Sequence, residues 1–185
     1  MKKLIVVAVA VVMMMGLAGS AFAANSLQKG KFGISVGMGD SVFSHKAIPN
    51  VDAVVNDVVD INGRFFASND MAIYGGFGLQ TDGGDADGTY LSLTIGARKY
   101  LKVDDFAPFV GGQLSYITVK SDPNIVDLSV IDLAAMFGAE FFVGKQFSLE
   151  GAIGVGLGQA SDDLTNSDDT YFGTRTIGVR ANFYF

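Results

Sequence analysis

The last nine residues, Ile177-Gly178-Val179-Arg180-Ala181-Asn182-Phe183-Tyr184-Phe185, decide the fold. Read in steps of two, they place Ile177, Val179, Ala181, Phe183 and Phe185 on one face and Gly178, Arg180, Asn182 and Tyr184 on the other. Successive side chains of a strand point to opposite sides, so the stretch predicts a β-strand with one continuous apolar face and one polar face. Such a strand suits a wall between hydrocarbon and a polar interior.

Working back from that strand, the same period of two recurs in seven further segments. The outward sets are Phe32, Ile34, Val36 and Met38; Val59, Ile61, Gly63 and Phe65; Ile73, Gly75, Phe77 and Leu79; and Leu91, Leu93, Ile95 and Ala97. Three more follow: Pro108, Val110, Gly112, Leu114 and Tyr116; Leu133, Ala135, Phe137, Ala139 and Phe141; and Leu149, Gly151, Ile153, Val155 and Leu157. Pro108 belongs near a strand end, where its missing N–H does least harm. Long connections (40–57, 82–88, 119–127, 159–169) alternate with short ones (68–70, 102–105, 143–146), so all the short turns share one end. The pattern predicts an all-β, eight-stranded antiparallel up-and-down transmembrane β-barrel.

Composition agrees. Mean hydropathy is +0.36 and 49% of residues are apolar, yet after residue 23 no apolar run is long enough for a spanning helix. In hydrocarbon every backbone polar group needs an internal partner, which leaves a closed barrel as the way across. Twenty-four glycines also disfavour a helical domain. At the other end, Lys2 and Lys3 precede the apolar run Leu4–Met15, and Ala21-Phe22-Ala23 forms a small-residue cleavage pattern. Residues 1–23 therefore read as a secretory signal peptide and 24–185 as the barrel domain. Cleavage removes two lysines, leaving 11 basic against 19 acidic residues and a net charge of −8, which speaks against nucleic acid as a partner. Without cysteine there is no disulfide framework and no thiolate metal site.

The alternations, the segment Ala107-Pro108-Phe109-Val110-Gly111-Gly112 and the ending Ala181-Asn182-Phe183-Tyr184-Phe185 resemble the small eight-stranded outer-membrane barrels of the OmpA/OmpX type. The resemblance covers essentially the whole chain after residue 23 and implies the outer membrane of a Gram-negative bacterium. It also implies that Val179, Ala181, Phe183, Tyr184 and Phe185 form the signal recognised by the barrel assembly machinery. OmpA carries a peptidoglycan-binding domain after its barrel; the ending here gives no such expectation.

The inward set carries charge. Arg64, Arg98, Glu140, Glu150 and Arg180 all fall a few residues from the short-turn end and are expected to share one layer and to pair, because an unpaired charge away from bulk water is costly. Inward Phe66, Tyr74, Tyr90, Phe142 and Tyr184 add bulk to a lumen only wide enough for side chains. Against this, inward glycines such as Gly33, Gly37, Gly76 and Gly158 leave room for polar pockets.

Some small barrels of this architecture modify lipid A with a His, a Ser and an acidic residue. The one histidine, His45, follows Ser44 near Asp40 and Ser41, but His45-Lys46-Ala47 lacks a serine two residues on, and no catalytic residue is expected. Asp82, Asp85 and Asp87 lie in a Gly-rich connection and are weak candidates for a divalent cation; no EF-hand glutamate closes the set, and turn chemistry accounts for them. No metal or other cofactor is expected. The first long connection is apolar for a loop (Val42, Phe43, Ile48, Val51, Val54, Val55, Val58), which suits adhesion or packing over the barrel mouth.

The sequence thus predicts a monomeric, non-enzymatic membrane protein with a structural or surface-interaction role and a side-chain-filled lumen, in contact with outer-membrane lipid and lipopolysaccharide. The alternatives are a narrow pore for small or apolar solutes and, further off, a lipid A-modifying enzyme. A soluble lipocalin-like binder would turn its apolar faces inward.

Overall fold

The computed structural model describes residues 27–38, 59–82, 88–121, 126–162 and 167–185. Eight strands follow one another: β1 (Phe32–Met38), β2 (Asp60–Ser68), β3 (Met71–Asp82), β4 (Gly88–Tyr100), β5 (Phe106–Ser121), β6 (Val126–Gly144), β7 (Phe147–Asp162) and β8 (Ser167–Tyr184). Each pairs antiparallel with the next, and β1 also pairs with β8, so the sheet closes into a barrel. Closure leaves no free edge where Phe32–Met38 meets the end of β8, with Gly33 opposite Tyr184 and Met38 opposite Val179.

The two faces separate as the alternation predicts. Ile34, Ile95, Leu133 and Ile153 are exposed on the outside, and Ser35, Asn62, Arg98 and Glu140 are buried in the lumen. Pro108 lies three residues into β5, near its end. Among the described residues no helix is long and apolar enough to cross a membrane; the crossing elements are strands.

Two expectations need correction. First, strands run further at the long-connection end than the apolar pattern shows: Asp82 pairs with Gly88, Ser121 with Val126 and Asp162 with Ser167. There the outward positions become polar (Thr118, Lys120, Ser129, Gln159), so the lipid-facing signal ends while the hydrogen-bonded ladder continues. Second, the alternation of the terminal strand is not strict back to Ile177. Glu150 pairs with Arg180 but Ala152 pairs with Ile177, an irregularity that slips the register by one residue. Above it the parity is reversed, with Tyr171 buried and Phe172 exposed. The expected signal peptide, the first long connection with His45, and Asp85 and Asp87 lie outside the described residues.

The lumen as candidate functional site

At the short-turn end buried rings pack together in the lumen. Phe66 packs on Tyr100 and Tyr184 with centroids 5.9 and 5.7 Å apart, Phe142 stacks on Tyr184, and Tyr100 meets Phe109 edge-on. These side chains come from β2, β4, β5, β6 and β8, so one cluster joins most of the wall.

Directly against the rings lies a charged layer. Glu140 on β6 and Glu150 on β7 are opposite each other in register. Arg64 spans both: its Nη1 donates to Glu140 Oε2 at 3.1 Å and its Nη2 to Glu150 Oε2 at 2.8 Å. Arg98 Nη1 lies 2.7 Å from the same Glu150 oxygen, while its guanidinium stacks over Phe109 (4.2 Å) and Tyr74 (4.8 Å). Glu140 also accepts from Tyr100, Tyr184 and Ser148, and Asn182 Nδ2 donates to Ser148 Oγ at 3.0 Å. All four charged side chains are essentially inaccessible. Arg64 Nε, Arg98 Nε and Glu150 Oε1 find no protein hydrogen-bond partner, so the ion pairing is more complete than the hydrogen bonding. A layer of this kind adds little net stability over apolar packing, but breaking it is expensive.

Arg180 sits at the level of this layer and also has a partner outside it. It is opposite Glu150 in register, and its Nη2 reaches Asp60 Oδ2 at 2.5 Å. Asp60 sits on β2, beyond β1, and the two meet over Gly37, which pairs with both. Asp60 was therefore the partner that residue spacing alone did not assign to Arg180.

Further up, polar pairs continue, with Tyr74 OH donating to Gln113 Oε1 at 3.1 Å and Tyr171 OH to Asp132 Oδ2 at 2.8 Å. Then the lining changes. Tyr90, Ile117, Val119, Leu128, Val130 and Ala160 are buried on the inner face of β4–β7, where the outer face has turned polar. Apart from Tyr90, this upper apolar lining was not visible in the sequence, because its residues fall in stretches assigned to connections or to their flanks.

No protein-family model matches the chain, and no curated protein matches it. Among solved structures it is similar to Neisserial surface protein A (14% identity, covering 84% of this chain and 96% of that one, TM-score 0.53). It is also similar to the outer membrane protein AlkL (14%, 90% and 94%, TM-score 0.52) and to the outer membrane protein OprG of Pseudomonas aeruginosa (15%, 84% and 97%, TM-score 0.50). The fold is that of the small eight-stranded outer-membrane β-barrels of the OmpA/OmpX type.

At four inward glycines of the described residues the space is taken by side chains. A Cβ on Gly33 would meet the Tyr184 ring at 2.6 Å, and one on Gly158 would run into the Tyr171 ring. Gly37 lies under Arg180 and Asp60, and Gly76 under Asn62. The glycines seat large cross-strand side chains, which is how a lumen this narrow holds three arginines and several tyrosines.

The five C-terminal positions divide between the faces. Val179 and Phe185 are exposed, Ala181 and Phe183 half-buried, and Tyr184 is fully buried beneath Arg64. Phe185 N–H donates to Phe32 O at 2.8 Å, and its ring contacts Phe183. Among the described residues no group of three or more His, Asp or Glu is arranged to hold a metal ion. The side chain of Asp82, like the rest of that candidate set, lies outside the description.

Proposed function

We propose that this chain is an integral protein of a Gram-negative outer membrane, monomeric and non-catalytic, with a structural or surface-interaction role and a lumen closed by its own side chains. The observation that carries this reading is the Arg64–Glu140–Glu150–Arg98 layer packed against the Phe66–Tyr100–Tyr184 cluster, which together bring buried side chains of five strands into contact at one end. Barrels of this class place short turns and both termini in the periplasm, which assigns the plugged end to that side. The outward apolar belt contacts lipid and lipopolysaccharide. Residues 1–23 are removed as a signal peptide, and Val179, Ala181, Phe183, Tyr184 and Phe185 are presented to the barrel assembly machinery.

The test is single-channel recording of the protein purified from outer membranes and reconstituted in a planar bilayer. Absence of a steady open level supports the closed barrel. A reproducible open level would replace it with a narrow pore.

A further inference from the structure

The geometry points to Leu27 as a hydrophobic stopper that closes the periplasmic mouth of the lumen. Leu27 precedes the first strand and has no ladder position to hold it, yet it is 1% exposed and belongs to the same cluster as Phe66, Tyr100 and Tyr184. A residue outside the sheet is normally solvated. Here the chain is turned back under the barrel and pinned.

The device is a tight turn. Lys31 N–H donates to Gln28 O at 3.1 Å, and Gly30, the third residue of that turn, has φ of +84°, a left-handed conformation that other residues adopt only at a cost. Gly30 N–H donates to Phe66 O at 2.9 Å and Lys29 N–H to Asn69 Oδ1 at 3.0 Å, fixing the turn to the end of β2 and to the β2–β3 turn. These bonds hold residue 27 across the opening rather than along the wall. Lys29 and Lys31 remain at the surface, so one side of the segment faces water while the leucine faces the rings.

The stopper has a chemical consequence. The charged layer lies directly behind the rings, and excluding water from the mouth strengthens the Arg64 and Arg98 ion pairs there. Leu27 therefore guards the network from the periplasm, in series with the rings.

This inference rests on the closed-lumen reading but answers to a different measurement. Because the chain has no cysteine, Ala107→Cys places a single thiol at a fully buried lumen position within the Leu27 cluster. The purified protein in detergent is exposed to a charged, water-soluble thiol reagent, with folding checked by heat-modifiable gel mobility. The thiol is expected to be protected with Leu27 present, to label at least tenfold faster with Leu27→Ser, and to be protected again with Leu27→Met. Equal rates with Leu27 and Leu27→Ser in folded protein, or rapid labelling with Leu27 present, would overturn the stopper. Equal rates in a protein that still does not conduct would overturn the stopper alone and leave the closed lumen standing.

Discussion

Asp60 and Arg180 are two strands apart, on either side of β1, and form an ion pair across the lumen face of Gly37. The contact exists because Gly37 has no side chain: a Cβ there would lie 2.8 Å from Arg180 Nε and 3.1 Å from Arg180 Cγ, and would collide with Asp60 Oδ1. Gly37→Ala is expected to destabilise the folded barrel by about 1–3 kcal/mol, the usual range for forcing extra volume into a packed site. Gly173→Ala, with nothing within 4 Å of its Cβ, is the matched control and is expected to stay within about 0.5 kcal/mol of the parent. Equilibrium urea unfolding in lipid vesicles measures both.

The opposition of Glu140 and Glu150 makes a second prediction. Two carboxylates directly across a ladder repel, so the pair tolerates burial only with Arg64 between them and Arg98 on Glu150. Arg64→Met is expected to cost about 3–5 kcal/mol, the range for stranding buried charge. Adding Glu140→Gln, which leaves the Arg98–Glu150 pair in place, should recover a substantial part of that loss. If the double variant is no more stable than Arg64→Met, the cost is packing rather than charge.

Much of this was legible in the sequence, for a physical reason. Hydrocarbon outside and polar groups inside impose a period of two on every strand, so strand number, closure and the inward placement of Arg64, Arg98, Glu140 and Glu150 could be read directly. The partner of Arg180 could not, because it depends on Asp60 and Arg180 flanking the same glycine of β1 from different strands. Nor could the inner lining by Ile117, Val119, Leu128 and Val130. Where strands rise above the lipid belt, the polarity contrast between faces reverses, and a pattern sought with apolar residues outward stops. Leu27 carries no periodic signal at all; its burial follows from the turn at Gly30.

The boundary of the lipid belt is testable by charge placement. Ile95 is outward and 65% exposed in the middle of β4, and Thr118 is outward near the far end of β5. Ile95→Arg is expected to cost about 2–4 kcal/mol in bilayers and Thr118→Arg about 0–1, following the depth dependence of charge on a lipid-facing wall. Equal costs at the two sites would mean that the belt is misplaced. Tryptophan-free fluorescence leaves unfolding to be followed by circular dichroism or gel mobility.

At the β2–β3 turn, Asp70 accepts hydrogen bonds from Lys99 and from Ser68, and these hold its carboxyl below the ordinary value of 3.8. A depressed folded-state pKa contributes stability above the unfolded value, and that contribution is lost as pH falls through the folded one. Asp70→Asn is therefore expected to lower stability slightly at neutral pH, with the difference from the parent vanishing in acid and shrinking in high salt, since the pair is exposed. A difference unchanged by pH would assign the effect to turn conformation instead.

Deletion of Phe185 separates assembly from stability. In the folded barrel this residue contributes one backbone hydrogen bond to Phe32 and a ring contact with Phe183, while its own ring remains exposed. Losing a single such bond costs about 0.5–1.5 kcal/mol, small for a closed eight-stranded barrel. The deleted protein refolded in lipid vesicles should thus approach parental stability. In cells, a role for the terminal aromatic in recognition would instead lower the outer-membrane amount severalfold and leave unassembled protein in the periplasm. A parallel loss in both settings would make Phe185 a structural residue, and normal amounts in the outer membrane would remove the assembly role from it.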